Sequence, residues 1–490
     1  MEVALGAAAV AEINLLTLLA LAELFWVAGL AVWIILERRS PAATIAWISV
    51  LAWLPLLGIA VYLAIGPRRL RRKRLRYRRA RAYLAALAGT MRCPPAVTSG
   101  CPWLAEPLAQ YIALLQRAGQ APPTQAQSLQ LYLTGDECYA AIEEAIQAAT
   151  HHIHLEYYIW RPDTVGTRLR DLLCSKARQG VQVRLLVDAL GSASLGRRFV
   201  RPLLESGVQF ARFNRLSLAR LRPGLMNFRS HRKIVVCDGR VGFTGGINVC
   251  DEHSQRQVGA RAWRDTHLRI EGAPVGWLQM LFLEDWYFAV GSAPRDRAYF
   301  PEPPAADDGP WVQIVASGPD HEHYAIERLY FAAIAGARQR VLITTPYCVP
   351  NEAMFAALAT TAMRGVEVKM LVPARGDSRL VDAAARTYYE ELAQAGVRVY
   401  QYYPAMLHAK TMVVDDQLAL VGTANLDNRS FRLNFEVVAA VYDSAFAQQL
   451  ADVFAADMQY ATKFRLRRSR RAPLWRRLGE ATARLLSPLL

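Results

Sequence analysis

The chain lacks any Cys-x-x-Cys pair and any His/Cys cluster at zinc spacing. Its seven cysteines (Cys93, Cys101, Cys138, Cys174, Cys237, Cys250, Cys348) are scattered over 490 residues, which argues against a zinc ribbon or a disulfide framework and reads as reduced thiols in a cytosolic compartment. No basic region precedes the first apolar run, and a second apolar run comes after it, so a cleaved signal peptide is a poor reading. Excess charge is missing from the middle of the chain. The net charge is +16, but ten of the 58 lysines and arginines lie between Arg68 and Arg81 and nine between Lys463 and Arg484, which leaves 39 against 42 acidic residues. A near-neutral middle argues against a nuclease, and the basic flanks favour an anionic partner such as lipid head groups.

Long apolar runs are present at the N-terminus. Leu15 to Leu36 and Thr44 to Ile65 are each roughly 22 residues, enough to cross a bilayer core. The polar turn Glu37-Arg-Arg-Ser-Pro41 between them predicts a transmembrane helical hairpin over residues 1–66. Trp26, Trp33, Trp47 and Trp53 suit membrane helices, Glu23 reads as a protonated or water-reaching carboxyl near one end, and Pro55 predicts a kink. The basic run after Gly66-Pro67 places the large C-terminal remainder of the chain in the cytoplasm by the positive-inside rule. Residues 67–127 read as a basic juxtamembrane and connecting segment.

From there an α/β alternation begins, and it occurs twice. Helix Tyr139 to Ala149, strand His152 to Ile159 and strand Val181 to Val187 are matched by helix Ile326 to Ala337, strand Arg340 to Pro346 and strand Val366 to Val372. A chain this long exceeds one ordinary core, so two homologous α/β domains are predicted, 128–300 and 310–462, joined near the Pro-rich stretch Arg297 to Pro310.

Each domain carries the same motif. His231-Arg-Lys-Ile-Val-Val-Cys-Asp238 recurs as His408-Ala-Lys-Thr-Met-Val-Val-Asp415, and an asparagine follows each histidine by 17 residues, as Asn248 and Asn425. On a strand, a spacing of two points His and Lys to one face, and Asp238-Gly239 signals a hairpin turn. One such match arises by chance in a chain of this length on the order of a few per cent of the time, and two with a matching Gly and Asn far less often. The bland alternative, strand histidines beside solvated lysines, fits poorly with Lys inside an apolar run.

These paired motifs, with Gly-Gly-Ile-Asn248 and Gly-Thr-Ala-Asn425, resemble the phospholipase D superfamily. The membrane hairpin, Trp263-Arg-Asp-Thr-His267, Thr345-Pro-Tyr347 and Asn425 to Glu436 look like its bacterial cardiolipin synthase branch. The departures, Cys237, Cys250, Cys348 and Asn351, leave the presumed catalytic set untouched. The resemblance implies an active site at a pseudo-twofold interface, no metal and no cofactor, and transfer of a phosphatidyl group from one phosphatidylglycerol to another through a phosphohistidine. It also implies a bacterial inner-membrane enzyme with two spans and cytoplasmic catalytic domains, with anionic lipids rather than nucleic acid as partners.

On this reading His231 is the nucleophile and His408 the general acid and base. Lys233, Lys410, Asn248 and Asn425 supply donors to the phosphate oxygens. Asp265 and Glu436, downstream of their motifs, are expected to orient the imidazoles, Asp265 within the His231 half. Asp238 and Asp415 count with the catalytic set as motif residues, although their place at the hairpin turn points to a structural role. The alternative use of the same site is hydrolysis, giving phosphatidic acid or cleaving nucleic acid. His151, His152, His154, His253, His321 and His323 read as ordinary histidines, and His267 as support for Asp265. The basic tail 463–490 ends in an amphipathic stretch around Leu474, Trp475, Leu478, Leu485 and Leu486, for which a membrane-interface helix and a helix packed back on the domain both stand.

Overall fold

The structure is a computed structural model that describes residues 17–18, 21, 24–36, 41–53, 106–214, 228–294, 296–303, 308–319, 323–466, 473–485 and 487. The chain divides into two compact units, Met1–Arg71 with Leu218–Met226, and Arg72–Ser217 with Asn227–Leu490.

In the first unit residues 24–36 and Pro41–Trp53 are helical. Ile34 and Leu51 are buried, with Leu30 and Trp47 packed on them, whereas Phe25, Trp26, Leu36, Ile45 and Trp53 stay more than half exposed. No described helix is long and apolar enough to cross a membrane. Glu23, the turn at residues 37–40, Pro55, the basic run from Arg68 to Arg81 and most of the remainder of both apolar runs lie outside the described residues.

The second unit is built on one fifteen-stranded sheet. Its first half holds β1 Thr124–Tyr132, β2 His152–Tyr157, β3 Gln182–Asp188, β4 Gln209–Phe213, β5 Ile234–Cys237, β6 Val241–Gly245 and β7 His267–Gly272. The second holds β8 Trp311–Ser317, β9 Arg340–Thr344, β10 Cys348–Val349, β11 Glu367–Pro373, β12 Arg398–Tyr402, β13 Thr411–Val414, β14 Leu418–Gly422, β15 Leu426–Asp427, β16 Glu436–Tyr442 and β17 Ala461–Lys463. Strands β10 and β15 pair separately; the main order is β17-β12-β11-β9-β13-β14-β16-β8-β1-β7-β6-β5-β2-β3-β4. Outward from the centre, β1-β7-β6-β5-β2-β3-β4 is matched strand for strand by β8-β16-β14-β13-β9-β11-β12, with β17 added at one edge. The predicted repeat is therefore a pseudo-twofold, and its axis passes between β1 and β8, which pair only through Thr124–Val312 and Gln125–Trp311.

Helices cover both faces, so the central strands are apolar throughout rather than alternating. Residues of β2, β5, β13 and β16 are all buried. Ile142, Leu169 and Val235 centre the core of the first half, Leu329, Leu358 and Leu420 that of the second. Ile234, Ile270, Ile314, Val413 and Val437 line a core shared by both.

The motif turns correct one expectation. Asp238 and Gly239, and likewise Asp415 and Asp416, adopt positive φ, as a tight hairpin demands. Asp238 accepts from the N–H groups of Thr150, His151 and His152 at 2.7, 2.9 and 2.8 Å. Asp415 does the same for Arg338, Gln339 and Arg340 at 2.7, 2.7 and 3.0 Å. Burial opposes ionisation of Asp238, but those N–H groups outweigh it and hold the carboxyl below its usual range. Each aspartate thus fastens its hairpin to the start of the next strand, at the opposite end of a strand from its histidine. Both carboxylates are engaged by backbone N–H groups at the hairpin turns, whereas the motif grouping sets them beside the histidines. Asp238→Ala and Asp415→Ala are each expected to cost about 2 kcal/mol in urea unfolding while turnover per folded molecule stays within about threefold; a collapse of turnover at unchanged stability would restore the catalytic assignment.

Candidate active site

His231 and Lys233 lead into β5, and His408 and Lys410 lead into β13, rather than lying within those strands. The reason is that each lead-in pairs across the pseudo-twofold instead of along its own sheet. Ser230 bridges Phe435, with His231 N–H donating to the Phe435 carbonyl at 2.9 Å. Leu407 bridges Arg264, with His408 N–H donating to the Arg264 carbonyl at 2.7 Å.

This register sets the orienting acids, because the residue after each bridging partner is a carboxylate. His231 Nδ1 lies 2.9 Å from Glu436 Oε2, and His408 Nδ1 lies 2.6 Å from Asp265 Oδ2. The expectation that Asp265 serves His231 in its own half is corrected: the pairs are crossed, and each half orients the other half's histidine. Anchoring Nδ1 leaves Nε2 as the nitrogen available for chemistry.

The two carboxylates are held differently. Thr423 Oγ donates to Glu436 Oε2, and Asn434 Nδ2 donates to Glu436 Oε1 at 3.2 Å. In the equivalent place the first half has Gly246, where an added Cβ would stand 1.9 Å from Asp265 Oδ1. The shorter aspartate needs that space, and Thr266 N–H donates to it at 2.7 Å. Burial disfavours ionised Glu436, but His231 and Lys233 together hold its carboxyl below the usual range.

Both lysines are fully buried and donate back to the carbonyl two residues earlier, Lys233 to His231 at 2.8 Å and Lys410 to His408. Burial and then Lys410 push the Lys233 ammonium down to about 7. Burial holds Lys410 at about 8 against the pull of Asp265 and Glu436. Burial also lowers His231, with Glu436 opposing it, and drives His408 well below its ordinary value with help from both lysines. Two buried lysines beside two imidazoles, each imidazole held by a carboxylate, can receive an anion between them.

Asn248 is fixed by its Oδ1, which accepts from Ile159 N–H at 3.3 Å. The Asn425 side chain hydrogen-bonds Asp427, and its Oδ1 is buried without a partner among the described residues. Aromatic walls complete the site: Tyr158 packs on His231 with centroids 5.0 Å apart, and Trp263 and His253 pack on His408 at 5.2 and 5.7 Å.

Sequence reasoning missed His253, whose only signal was its place five residues after Asn248 in the same turn. It lies with Asp265 and His408 in a group of nitrogen and oxygen atoms all within 4.8 Å of one another. The chemistry does not suit a cation, because His253 Nε2 accepts from Asn248 N–H at 3.3 Å, which puts the proton of the neutral ring on Nδ1, facing Asp265 at 3.8 Å. Burial keeps that ring neutral, with its pKa at about 3. Against the expectation that His267 supports Asp265, both its ring nitrogens are buried without a hydrogen-bond partner among the described residues.

The lysine values fix a pH dependence. A group lowered to about 7 or 8 is charged at pH 6 and mostly neutral at pH 9, so anion affinity falls as pH rises. Sulfate, a dianion across this range, should bind at least about tenfold more weakly at pH 9 than at pH 6 by calorimetry; equal affinity would show that the lysines do not titrate here.

Comparison with known proteins agrees with this geometry. A family model described as "Cardiolipin synthase, PLD-like domain" matches residues 142–259 and 330–458, one segment in each half. The chain is 40% identical over 456 residues to a cardiolipin synthase of Geobacillus thermodenitrificans, covering 93% of this chain and 90% of that one. It is 36% identical over 479 residues to cardiolipin synthase 1 of Bacillus anthracis, covering 95% and 92%. In fold it is similar to a phosphatidylserine synthase of Haemophilus influenzae, with a TM-score of 0.59 and 17% identity over 78% of this chain and all of that one. The crossed histidine–carboxylate pairs thus sit in a chain that belongs to the cardiolipin synthase family of phospholipase D-like proteins.

Proposed function

We propose that this protein is a phosphatidyltransferase that makes cardiolipin from two molecules of phosphatidylglycerol. The carrying observation is the pair of buried histidines, each held at Nδ1 by a carboxylate from the other half, beside two buried lysines. Relatives named cardiolipin synthase over nine-tenths of the chain support the reading.

His231 Nε2 attacks phosphorus of the first phosphatidylglycerol, and His408, protonated when the anionic diester is bound, gives its proton to the departing glycerol oxygen. The terminal hydroxyl of the second phosphatidylglycerol then returns a proton to His408 and attacks phosphorus, and the phosphorus–nitrogen bond to His231 breaks. Lys233, Lys410, Asn248 and Asn425 receive the charge that builds on the equatorial oxygens. Asp265 and Glu436 hold the rings in the reactive tautomer. The aromatic and apolar walls limit water, which favours transfer over hydrolysis.

The substrates are bilayer lipids, and we place the enzyme at a bacterial inner membrane through two spans, Leu15–Leu36 and Thr44–Ile65, with the catalytic unit cytoplasmic. Sequence hydropathy supports this, as do the large apolar side chains that the described helices of the first unit expose.

Full-length protein given phosphatidylglycerol vesicles is expected to release one glycerol per cardiolipin formed. His231→Ala and His408→Ala should each lower turnover by on the order of 10⁴ with unchanged circular dichroism. Phosphatidic acid as the main product, or an active single variant, would sink the proposal.

A further inference from the structure

Of its two sequence readings, the C-terminal helix Leu474–Leu485 takes the one packed back on the domain, and it does so with one face only. One face packs on the helix Arg379–Gln394. Glu480 and Ala483 are buried, Arg386 lies 3.7 Å from Glu480, Arg484 donates to Glu391 at 3.0 Å, and the Arg484 guanidinium sits 4.4 Å over the Tyr388 ring. The opposite face has no such cover. Leu474, Trp475, Leu478 and Leu485 are 78, 75, 66 and 79% exposed, and on a helix they share an arc of about 100°.

Those ion pairs also fix direction. Glu480 meets Arg386 and Arg484 meets Glu391, so the two helices run parallel. Trp475 lies about 8 Å before Glu480 along the axis, which brings it level with the first turn of Arg379–Gln394, where Leu380 is exposed. That turn adjoins the active site. The residue before its cap, Asp377, accepts from the Tyr347 hydroxyl at 2.6 Å, and it is near enough to Lys410 to favour its charge.

We propose that this helix face is a docking surface for an anionic lipid bilayer, placed so that a docked membrane meets the mouth of the paired-histidine site. The proposal rests on the lipid-substrate reading above. Charge selects the occupant. Nine lysines and arginines stand between Lys463 and Arg484. Arg477 flanks the apolar strip, exposed and without an acidic partner among the described residues. An apolar strip edged with cations suits a surface that is apolar inside and anionic at its head groups. The packed face keeps the helix in place without lipid, so docking spends no free energy on folding it.

The test uses full-length protein. Combining Leu474→Ser, Trp475→Ser and Leu478→Ser should lower cardiolipin formation on long-chain phosphatidylglycerol vesicles at least about tenfold, while the rate on monomeric short-chain phosphatidylglycerol stays within about twofold. Unchanged vesicle activity, or equal loss on both substrates, overturns the proposal. In a second measurement, Leu478→Cys carries a polarity-sensitive dye in a protein with Cys93→Ser and Cys101→Ser; the cysteines among the described residues are buried. Phosphatidylglycerol vesicles should shift its emission to the blue, and phosphatidylcholine vesicles much less. A blue shift that grows with protein concentration in the absence of lipid would assign the face to a second copy and overturn the membrane. The dye does not depend on turnover, so a protein that docks but makes no cardiolipin supports the surface while refuting the reaction.

Discussion

The crossed contacts at the pseudo-twofold are the constraint on which the rest of the molecule depends. Among the described residues, β1 and β8 join the two halves of the sheet through two residue pairs. Two single bridges, Ser230 to Phe435 and Arg264 to Leu407, then set the register of one half against the other. A slip of one residue in either bridge would turn the carboxylate away from the histidine, because side chains alternate across an extended strand. Tertiary pairing and tautomer control are therefore one event: the site exists only when both halves are folded and docked. Either half alone would hold a histidine without its acid and a lysine without its opposite number.

That arrangement also explains how so much charge survives burial. Desolvating two ammonium groups is unfavourable, and the depressed lysine values record the strain. Glu436 and Asp265 offset part of it, one from each half, and the anionic phosphate of a substrate supplies the remainder. The site is thus tuned for the species it is to stabilise. Its dipoles and charges are fixed before the reaction begins, so little reorganisation is needed during phosphoryl transfer. The motif aspartates contribute at a distance, by fastening the hairpins that carry these strands.

The two half-sites are equivalent in plan but not in detail. Glu436 is long enough to need a hydroxyl beside it, and Thr423 provides one; Asp265 is short enough to need room, and Gly246 leaves it. His408 is enclosed by Trp263 and His253, His231 by Tyr158. Such differences leave the two histidines in unlike surroundings on a nearly symmetric frame.

Much of this was legible in the chain. Repeated motifs with a common 17-residue spacing specified two copies of one α/β unit, and the apolar runs marked buried strands, because both signals are local and covalent spacing preserves them. The place of Asp238 and Asp415 in a turn was legible too, and their positive φ bears that out. Contacts between distant residues were not legible. Nothing in the spacing from His231 to Asp265 says that the aspartate turns to His408, nor that His253 folds against the same ring, since both depend on how the two halves of the sheet meet. The sequence by itself determined the residues, the repeat and the amphipathic tail; only the tertiary structure decided which acid serves which histidine and which face of the tail stays open, because those choices are made by packing across the pseudo-twofold and along the helix Arg379–Gln394, where sequence distance carries no information.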